Sequence, residues 1–261
     1  NLNWFLVSQV GLNLSILFSF FANFPKFIYE LIKVKLIHKG IKISIKPCLH
    51  DKSTSNGEGS GTEIDEYFFQ DLFVAQKVYK INPTSLADVG SRLDGYITNV
   101  ASYREISVLD IRELDFKVEN INFSKIDITS KTLDTLKFDV ITCLHTLEHF
   151  GLGRYGDPIV KDSTSKGIEG LSNIIKNNGT LIISTPIGKE KIEFNANWIF
   201  CPDKLNILFN SHNLEIKEFY VYDKNEKAII KKNISDFKDL KKLDYILAIF
   251  ILNKTRKNGK I

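Results

Sequence analysis

The sequence predicts an α/β protein built on a parallel, doubly wound sheet. Five short apolar runs alternate with loops or helix-compatible stretches between residues 85 and 185: SLADVG, ISVLDI, FSKIDI, KFDVITCL and GTLIIST. This rhythm is typical of βαβ units, whose parallel strands share one sheet. A chain of 261 residues with 43% hydrophobic content can bury the core that such a sheet needs. In this class of fold, ligands bind at the carboxyl ends of the strands.

An apolar and helical extension precedes this domain. Residues 1–24 carry no charge, which predicts a helix packed on protein, covered by a partner or lying at a membrane interface, with a membrane span as the alternative. Residues 24–40 read as a helix, because Phe27, Leu31 and Val34 follow a 3.6-residue period before Gly40. We therefore divide the chain into an extension (residues 1–50), a polar, glycine-rich loop (51–63) and an α/β domain (64–261).

The α/β domain opens with a second amphipathic helix, IDEYFFQDLFVAQKVYKIN. Its predicted buried face carries Phe68, Leu72, Ala75 and either Val78 or Tyr79. The chain then alternates through the five strand-like runs described above.

Four more elements complete the domain around and after the fifth strand. GIEGLSNIIKNNG predicts a helix that ends with Gly179 as its C′ residue. PDKLNILFNSHN reads as a further helix. LEIKEFYVYD and DYILAIFILNK read as strands that could pair antiparallel.

Charge and cysteine content exclude several classes of function. The formal charge of +4 comes from 35 basic and 31 acidic residues spread along the chain, so we expect no nucleic-acid partner. Cys48, Cys143 and Cys201 are far apart and form no C-x-x-C motif, which argues against a disulfide framework or structural zinc and favours the cytoplasm. The chain begins at Asn1 and contains no methionine, so we expect its natural start to lie upstream.

The first strand ends in DVGSRLDGY, a pattern that suggests a nucleoside-containing cofactor. Gly90 directly after a buried strand lets the backbone turn sharply and approach a nucleotide closely. Asp110 ends the second strand 22 residues after Asp88, where a carboxylate can accept both ribose hydroxyls. Only Gly90 and Gly95 are present, so the G-x-G-x-x-G pattern of NAD and FAD proteins is absent.

The third and fourth strands contribute further candidates. Asp127 in KIDIT stands where a side chain could reach an adenine amino group, or could equally cap a turn. The fourth strand runs into HTLEH, which spells the H-x-x-E-H of some zinc proteases. A zinc site would need His145 and His149 on one face of a continuous helix, whereas here His145 ends a strand and GLGRYGDP breaks any helix. We therefore expect no metal.

Taken in order, DVGSRLDGY, VLDIR, KIDIT, KFDVITCLHTLEHF and GTLIISTPIG resemble the core motifs of class I S-adenosylmethionine-dependent methyltransferases. More specifically, YFFQDLFVAQKV, DVGSRLDGYITNVASYREISVLDIR, CLHTLEHFGLGRYGDPI and STPIGKEKIEFNANWIF are similar to the methyltransferase-like domain-of-unknown-function family 268. The resemblance runs from about Phe24 to Leu252. It implies a Rossmann-like sheet of seven strands in the order 3-2-1-4-5-7-6, with the last strand antiparallel.

The resemblance also implies a site for S-adenosylmethionine. Gly90 and its loop would hold the methionine moiety, Asp110 the ribose and Asp127 the adenine, and the loop from His145 to His149 would form the methyl-transfer centre. The full set of expected cofactor-binding residues is Asp88, Gly90, Ser91, Arg92, Gly95, Asp110, Ile111, Asp127, Ile128 and Leu144. Bacterial members of the family look like enzymes of surface-polysaccharide gene clusters, which implies a sugar or glycan-precursor acceptor.

One departure from the general pattern leaves two functions open. Methyltransferases carry D-x-G-x-G-x-G, whereas Arg92 and Asp94 stand at the second and third glycine places here. Arg92 could clash with the cofactor or bind its carboxylate by a bidentate contact. The alternative to an enzyme is therefore a catalytically inactive, methyltransferase-like binding or scaffold protein.

Polar residues near the strand ends predict the catalytic and substrate-binding groups. Methyl transfer needs an acceptor held close to the methyl carbon, and a base only where the acceptor must lose a proton. We expect that base among His145, Glu148, His149 and Asp157. For a hydroxyl-rich acceptor we expect contacts from Arg154, Tyr155, Glu193 and Asn195, with Asn197 nearby. The predicted location is the cytoplasm, with peripheral membrane contact through residues 1–25 as a further expectation.

Overall fold

The computed structural model of the chain describes residues 6, 13–37, 64–114, 117–130, 135–152, 159–193 and 196–255. The chain divides into two compact units, Asn1–Ile64 and Asp65–Ile261.

In the first unit, helix α1 spans Leu14–Ile37 and contains Pro25. This confirms the helix predicted between residues 24 and 37, while the predicted stop at Gly40 and the loop 51–63 lie outside the described residues. Apolar side chains such as Phe18 and Phe21 are exposed on α1. Within the described part of the chain, no helix combines the length and the apolar character needed to cross a membrane.

The second unit is built on a central mixed sheet and a separate two-stranded hairpin. The strands are β1 (Leu86–Val89), β2 (Ile106–Asp110), β3 (Ile121–Lys125), β4 (Phe138–Leu144), β5 (Ile175–Ile187), β6 (Lys191–Glu193), β7 (Asn197–Ile199), β8 (Leu214–Asp223), β9 (Ala228–Lys232) and β10 (Ile246–Lys254). The central sheet has the order β3-β2-β1-β4-β5-β10-β8-β9, and β6 pairs with β7 in the hairpin.

The predicted strand order is confirmed, with one strand more than expected. Strands β1 to β5 pair in parallel, and β10 inserts antiparallel between β5 and β8, as predicted for the last strand. The expected count of seven was too low, because β9 adds an eighth strand antiparallel to β8 at the edge of the sheet. The class of fold is therefore α/β and Rossmann-like.

Helices cover the sheet on both faces. They are α2 (Glu66–Ile81), α3 (Thr98–Ala101), α4 (Ser163–Ile174), α5 (Pro202–Ser211) and α6 (Phe237–Leu240), with a π-helical turn at Leu93–Ile97 and 3₁₀ turns at Leu147–His149 and Ile234–Asp236. Helix α5 begins with Pro202, whose fixed φ suits the first helical position. Two apolar cores result, one on each face of the sheet.

The buried face predicted for α2 is confirmed at Ala75 and Val78 but not in the first half of the helix. Gln70, Val74, Ala75 and Val78 are buried, whereas Phe68 and Leu72 are 49% and 43% exposed. The helix packs on the core through its Val74 and Val78 stripe, and its first two turns lie over the carboxyl ends of the strands. Because the buried face runs along this stripe, the polar Gln70 also points inward.

The predicted helix end at Gly179 was wrong. Helix α4 ends at Ile174, and β5 begins at the next residue. Asn178, not a helix-capping glycine, takes the left-handed conformation, with φ of 64°. Gly179 lies inside β5, where an added Cβ would come within 2.9 Å of the Asp139 carbonyl oxygen, so a close approach of two strands requires the glycine.

Candidate active site

A cavity of about 890 Å³ opens at the carboxyl ends of β1, β2 and β4. This is the place that the strand pattern predicts for a ligand, and the volume lies within the usual range for small-molecule sites. Most of the predicted site residues that the structure describes line it: Gly90, Ser91, Arg92, Gly95, Asp110, Ile111, Asp127, Ile128, Leu144, His145, Glu148 and His149.

The loop after β1 is held by a buried carboxylate. Asp88 is fully buried and accepts hydrogen bonds from the Ser91 backbone nitrogen at 3.0 Å and from the Ser91 and Thr142 hydroxyls at 2.6 Å each. Asp88 was expected to bind the cofactor, but it lies behind the cavity wall and positions the loop instead. Burial raises its pKa from 3.8 to about 6.

Gly90 and Gly95 are required by contacts within the protein. Gly90 has a φ of +72°, and an added Cβ would lie 2.4 Å from the Thr146 methyl group. At Gly95, an added Cβ would lie 2.0 Å from a carboxylate oxygen of Asp71. The first contact brings the loop after β1 against the loop after β4, so both contribute to one wall of the cavity.

Arg92 neither fills the cavity nor presents an unpaired charge to it. Its guanidinium forms a bidentate pair with the Asp94 carboxylate, at 3.0 Å from Nε and 2.6 Å from Nη2. The guanidinium carbon lies 5.9 Å from the ring centre of Tyr67. Asp94 raises the pKa of Arg92, and Arg92 in turn lowers the pKa of Asp94. The two residues that replace the usual glycines therefore pair with each other at the rim.

Asp110 and Asp127 stand where the sequence places them, and both already accept hydrogen bonds. Asp110 Oδ1 accepts from the backbone nitrogen and Nε of Arg112, at 2.8 and 2.9 Å, while Oδ2 lies 2.6 Å from Arg112 Nη2. Asp127 Oδ1 accepts from the backbone nitrogen and hydroxyl of Thr129, at 2.8 and 2.7 Å. Asp127 thus closes a turn and also lines the cavity.

His145 and Glu148 form a buried pair at the end of β4. His145 Nδ1 lies 2.7 Å from Glu148 Oε1, and Glu148 Oε2 accepts a hydrogen bond from the Thr185 hydroxyl at 3.3 Å. Burial acts to lower the pKa of His145, but the hydrogen bond and charge of Glu148 prevail and raise it above its ordinary value. His145 also has a φ of 48°, a conformation that is uncommon outside glycine.

The H-x-x-E-H segment does not form the helix of a zinc protease. Leu147–His149 is a single 3₁₀ turn directly after β4, so His145 and His149 do not share the face of an α-helix. His149 Nδ1 instead donates to the Ala196 carbonyl oxygen at 2.9 Å. Among the residues that the structure describes, no three His, Cys, Asp or Glu side chains cluster so as to hold a metal ion.

Several cavity residues carried no functional signal in the sequence. The first turns of α2 contribute Tyr67, Gln70 and Asp71, and the segment before β10 contributes Tyr245. The Tyr67 ring lies 4.5 Å from the His145 ring, and burial raises the pKa of Tyr67 to about 12. The Tyr245 hydroxyl donates to Glu66 at the start of α2. The sequence placed Tyr67, Gln70 and Asp71 on an amphipathic helix, but not at the site.

The remaining predicted residues divide into one that lies away from the cavity, one that lines it and four that the structure does not describe. Glu193 does not line the cavity, because β6 and β7 form a hairpin in which its carboxylate pairs with Lys191 at 2.9 Å. Arg154, Tyr155, Asp157 and Asn195 lie outside the described residues. Asn197, the first residue of β7, does line the cavity.

The chain has a Rossmann-like α/β fold with a ligand-sized cavity at the carboxyl ends of its parallel strands. The chain belongs to the family described as "Caenorhabditis protein of unknown function, DUF268", whose model matches residues 98–254. This confirms the family predicted from the motifs. No curated protein sequence matches the chain.

Solved structures share the fold at low sequence identity. The chain is similar to the (4+2)-cyclase SpnF, with a TM-score of 0.51 and 14% identity over 71% of this chain and 81% of that one. It is also similar to an O-methyltransferase from a trans-AT PKS multienzyme of Brevibacillus brevis in complex with S-adenosyl-L-homocysteine, with a TM-score of 0.51 and 11% identity over 73% and 72%. For an S-adenosylmethionine-dependent methyltransferase from Clostridium acetobutylicum, the TM-score is 0.49 and the sequence identity is 13%, over 74% of this chain and 94% of that one.

Proposed function

We propose that the chain binds S-adenosylmethionine and transfers its methyl group to a sugar or surface-glycan precursor. The observation that carries this proposal is the cavity of about 890 Å³ at the carboxyl ends of β1, β2 and β4, with Gly90, Asp110 and Asp127 in one wall. In a doubly wound fold, this edge of the sheet is where nucleoside-containing ligands bind. The cavity is large enough for a cofactor and a small acceptor together.

The residues present fit this cofactor. Gly90, with its positive φ, would let the backbone approach the methionine moiety closely, and Asp110 would accept the ribose hydroxyls. Ile111 and Ile128 would give the adenine an apolar wall, and Asp127 would accept from its amino group. When bound, the cofactor supplies an electrophilic methyl carbon next to a sulfonium. The chain's own part is to hold the acceptor in line and to exclude water.

A second candidate function is ligand binding without methyl transfer. The observation that favours it is the bidentate contact between Arg112 and Asp110, since both carboxylate oxygens are already engaged. A ribose would have to displace Arg112, whose side chain is half exposed and can move into solvent. Removing the Arg112 side chain by substitution therefore tests whether its contact with Asp110 keeps the ribose out.

Support for a sugar acceptor comes from the polar and aromatic groups of the cavity. Tyr67 and Tyr245 offer rings on which a sugar can stack, and Asn197 offers an amide. Arg154, Tyr155, Asp157 and Asn195 extend the proposal as acceptor or catalytic groups from outside the described residues. A cytoplasmic location and a membrane contact through residues 1–25 belong to the same proposal.

Calorimetric titration of S-adenosylmethionine and S-adenosylhomocysteine into the full chain tests the cofactor. We expect dissociation constants in the micromolar range, at least about tenfold weaker binding for Asp110→Ala, and unchanged binding for Asp223→Ala, whose carboxylate only caps a turn with Asn225. Arg112→Ala should bind as tightly as the unaltered chain or more tightly. If a folded chain gave no binding heat at millimolar ligand, the proposal would fail.

A further inference from the structure

Two buried polar atoms of the cavity have no hydrogen-bond partner among the described residues. They are Nε2 of His145 and Oε1 of Gln70. Both residues line the cavity, and Gln70 is only 1% exposed. Buried polar atoms are rarely left without a partner, because the lost hydrogen bond to water costs about 1–3 kcal/mol. Two such atoms in one cavity therefore point to a ligand that satisfies both.

The partners of His145 decide which chemistry its Nε2 offers. The Glu148 carboxylate accepts this hydrogen bond, so His145 Nδ1 carries the proton that joins them. In the neutral ring, Nε2 then bears a lone pair directed away from Glu148. The backbone nitrogen of His145 donates to the Ser184 carbonyl oxygen and lies 3.1 Å from the Ser184 hydroxyl, which fixes the residue at the end of β4.

Gln70 is held as an acceptor by its neighbour. Its Nε2 donates to Asp71 Oδ1 at 2.9 Å. Because a carboxylate accepts and does not donate, this contact orients the amide so that Oε1 is the atom left for a ligand. The cavity thus presents two acceptors, and its ligand must bring at least two donors.

The charges of the wall narrow the class of ligand. Arg92 and Arg112 are its described guanidinium groups, and both are engaged with carboxylates. Asp71 and Glu148 add negative charge near His145. A phosphate-bearing sugar nucleotide would be repelled here, whereas a neutral molecule with several hydroxyls would be accepted.

We infer that His145 Nε2 takes the proton from a hydroxyl of a neutral, polyhydroxylated acceptor while Gln70 Oε1 holds a second hydroxyl; this rests on the proposed methyltransferase function. The acceptor O–H bond breaks as its proton moves to Nε2, and the oxygen bonds to the methyl carbon. The carbon–sulfur bond breaks, and its electron pair stays on sulfur. Glu148 is a positioning residue, since it fixes the tautomer of His145 and stabilises the imidazolium that forms.

This role gives the reaction a defined pH dependence. The described ionisable groups that face His145 are Glu148 from the 3₁₀ turn and Glu66, Tyr67 and Asp71 from α2. Against the opposing effect of burial, the carboxylates raise the pKa of His145, so the ring keeps its proton to a higher pH. Methyl transfer should therefore rise as pH increases through the pKa of His145. Glu148→Gln should move that midpoint to lower pH.

The test uses S-adenosylhomocysteine binding, ¹⁵N NMR of the histidine rings and methyl transfer to the methyl glycosides of glucose, galactose and mannose. We expect His145→Gln to bind S-adenosylhomocysteine within threefold of the unaltered chain while transfer falls at least about 100-fold. Gln70→Leu should raise the KM for the glycoside more than it lowers kcat. His212→Gln is the matched control, because the ring of His212 contacts Ser165. It should change neither S-adenosylhomocysteine binding nor methyl transfer. Above its pKa, His145 should show a protonated Nδ1 and an Nε2 resonance that shifts when glycoside is added.

Three results would overturn the inference while leaving cofactor binding intact. They are transfer by His145→Gln at the unaltered rate, transfer to UDP-glucose alone, and no transfer to any of the three glycosides by a chain that binds S-adenosylhomocysteine. If Glu148→Gln lost activity but the midpoint of its pH dependence of methyl transfer did not move, Glu148 would be a structural residue only. If the unaltered chain bound no S-adenosylhomocysteine, the proposed function itself would fail, and the inference with it.

Discussion

Asp88 is a fully buried carboxylate whose ionisation opposes folding. Its pKa in the folded chain is about 6, against 3.8 for an exposed aspartate, because burial outweighs the hydrogen bonds from Ser91 and Thr142. The folded state therefore binds the proton more tightly than the unfolded state does. The resulting stabilisation is fully present below about pH 4 and is lost as pH rises through about 6.

We therefore predict that Asp88→Asn flattens the pH dependence of stability. Between pH 4 and pH 7 the free energy of unfolding of the unaltered chain should fall by about 2 kcal/mol relative to that of the variant, because each pKa unit is worth about 1.4 kcal/mol and part of the change already lies below pH 4. Urea unfolding at several pH values measures how the free energy of unfolding changes with pH in the unaltered chain and in the variant. For Asp223→Asn, at an exposed turn, the curve of unfolding free energy against pH should run parallel to that of the unaltered chain. Parallel curves for Asp88→Asn would contradict the assignment.

At this scale the sequence identifies positions better than roles. Gly90 was predicted as a glycine of close approach, and its φ and its contact with Thr146 agree with a position that only glycine fills without strain. Asp88 was predicted to touch the cofactor but lies behind the wall, because its hydrogen bonds depend on Thr142, a residue of another strand. Such a contact is fixed by strand register, which spacing along the chain does not contain.

At the scale of elements, the first turn of α2 sets one side of the cavity. Asp65 caps the helix, and its Oδ1 accepts from the backbone nitrogens of Tyr67 and Phe68 at 3.0 and 3.4 Å. We predict that Asp65→Ala lowers the free energy of unfolding by about 0.5–2 kcal/mol, the usual effect of losing an N-cap. It should also speed hydrogen exchange of the amides from Tyr67 to Gln70, because this turn frays first.

Asp65→Asn is the matched comparison, since an asparagine oxygen can cap the helix as well. Its stability and exchange rates should stay close to those of the unaltered chain. If Asp65→Asn and Asp65→Ala behaved alike, the cap would not be the cause. Urea unfolding and hydrogen-exchange mass spectrometry supply both measurements.

The same helix shows where periodicity misleads. Ala75 and Val78 are buried as predicted, but Phe68 and Leu72 are exposed, and the burial continues instead along a second stripe through Val74. Gln70 belongs to that second stripe and interrupts its apolar pattern. A buried glutamine is tolerated here because its amide nitrogen donates to Asp71 and its side chain lines the cavity. The error therefore arises at a residue that we assign to ligand binding.

At the scale of the whole molecule, the alternation of strands and helices predicted a parallel, doubly wound sheet, whereas the strand order was implied by the family resemblance. The runs ending in Val89, Asp110 and Leu144 are mostly apolar and mostly buried, as strands covered on both faces require. Strand β9 escaped prediction because Ala228–Lys232 is short, half-exposed and without alternation. The cavity wall contributed by Tyr67 and Tyr245 also escaped, since those residues are far apart in sequence and meet only through α2 and β10.

Strand β10 is the last strand of the sheet along the sequence and lies in its interior, between β5 and β8. Its faces serve the two cores: Phe250 packs on one side, with ring centres 5.0 Å from Phe219, and Ile249 packs on the other. We predict that Phe250→Ala lowers the free energy of unfolding by about 3–5 kcal/mol and Ile249→Ala by about 2–5 kcal/mol. Ile207→Ala, at a position 69% exposed on α5, should change it by less than about 0.5 kcal/mol.

Urea unfolding followed by circular dichroism measures all three variants. Because both faces of β10 belong to one sheet, each core variant should shift the midpoint of the same transition without changing its slope. A separate early transition in one variant would mean that the core on that face unfolds independently of the other. A loss below about 1 kcal/mol for Phe250→Ala would contradict the burial of β10 between β5 and β8.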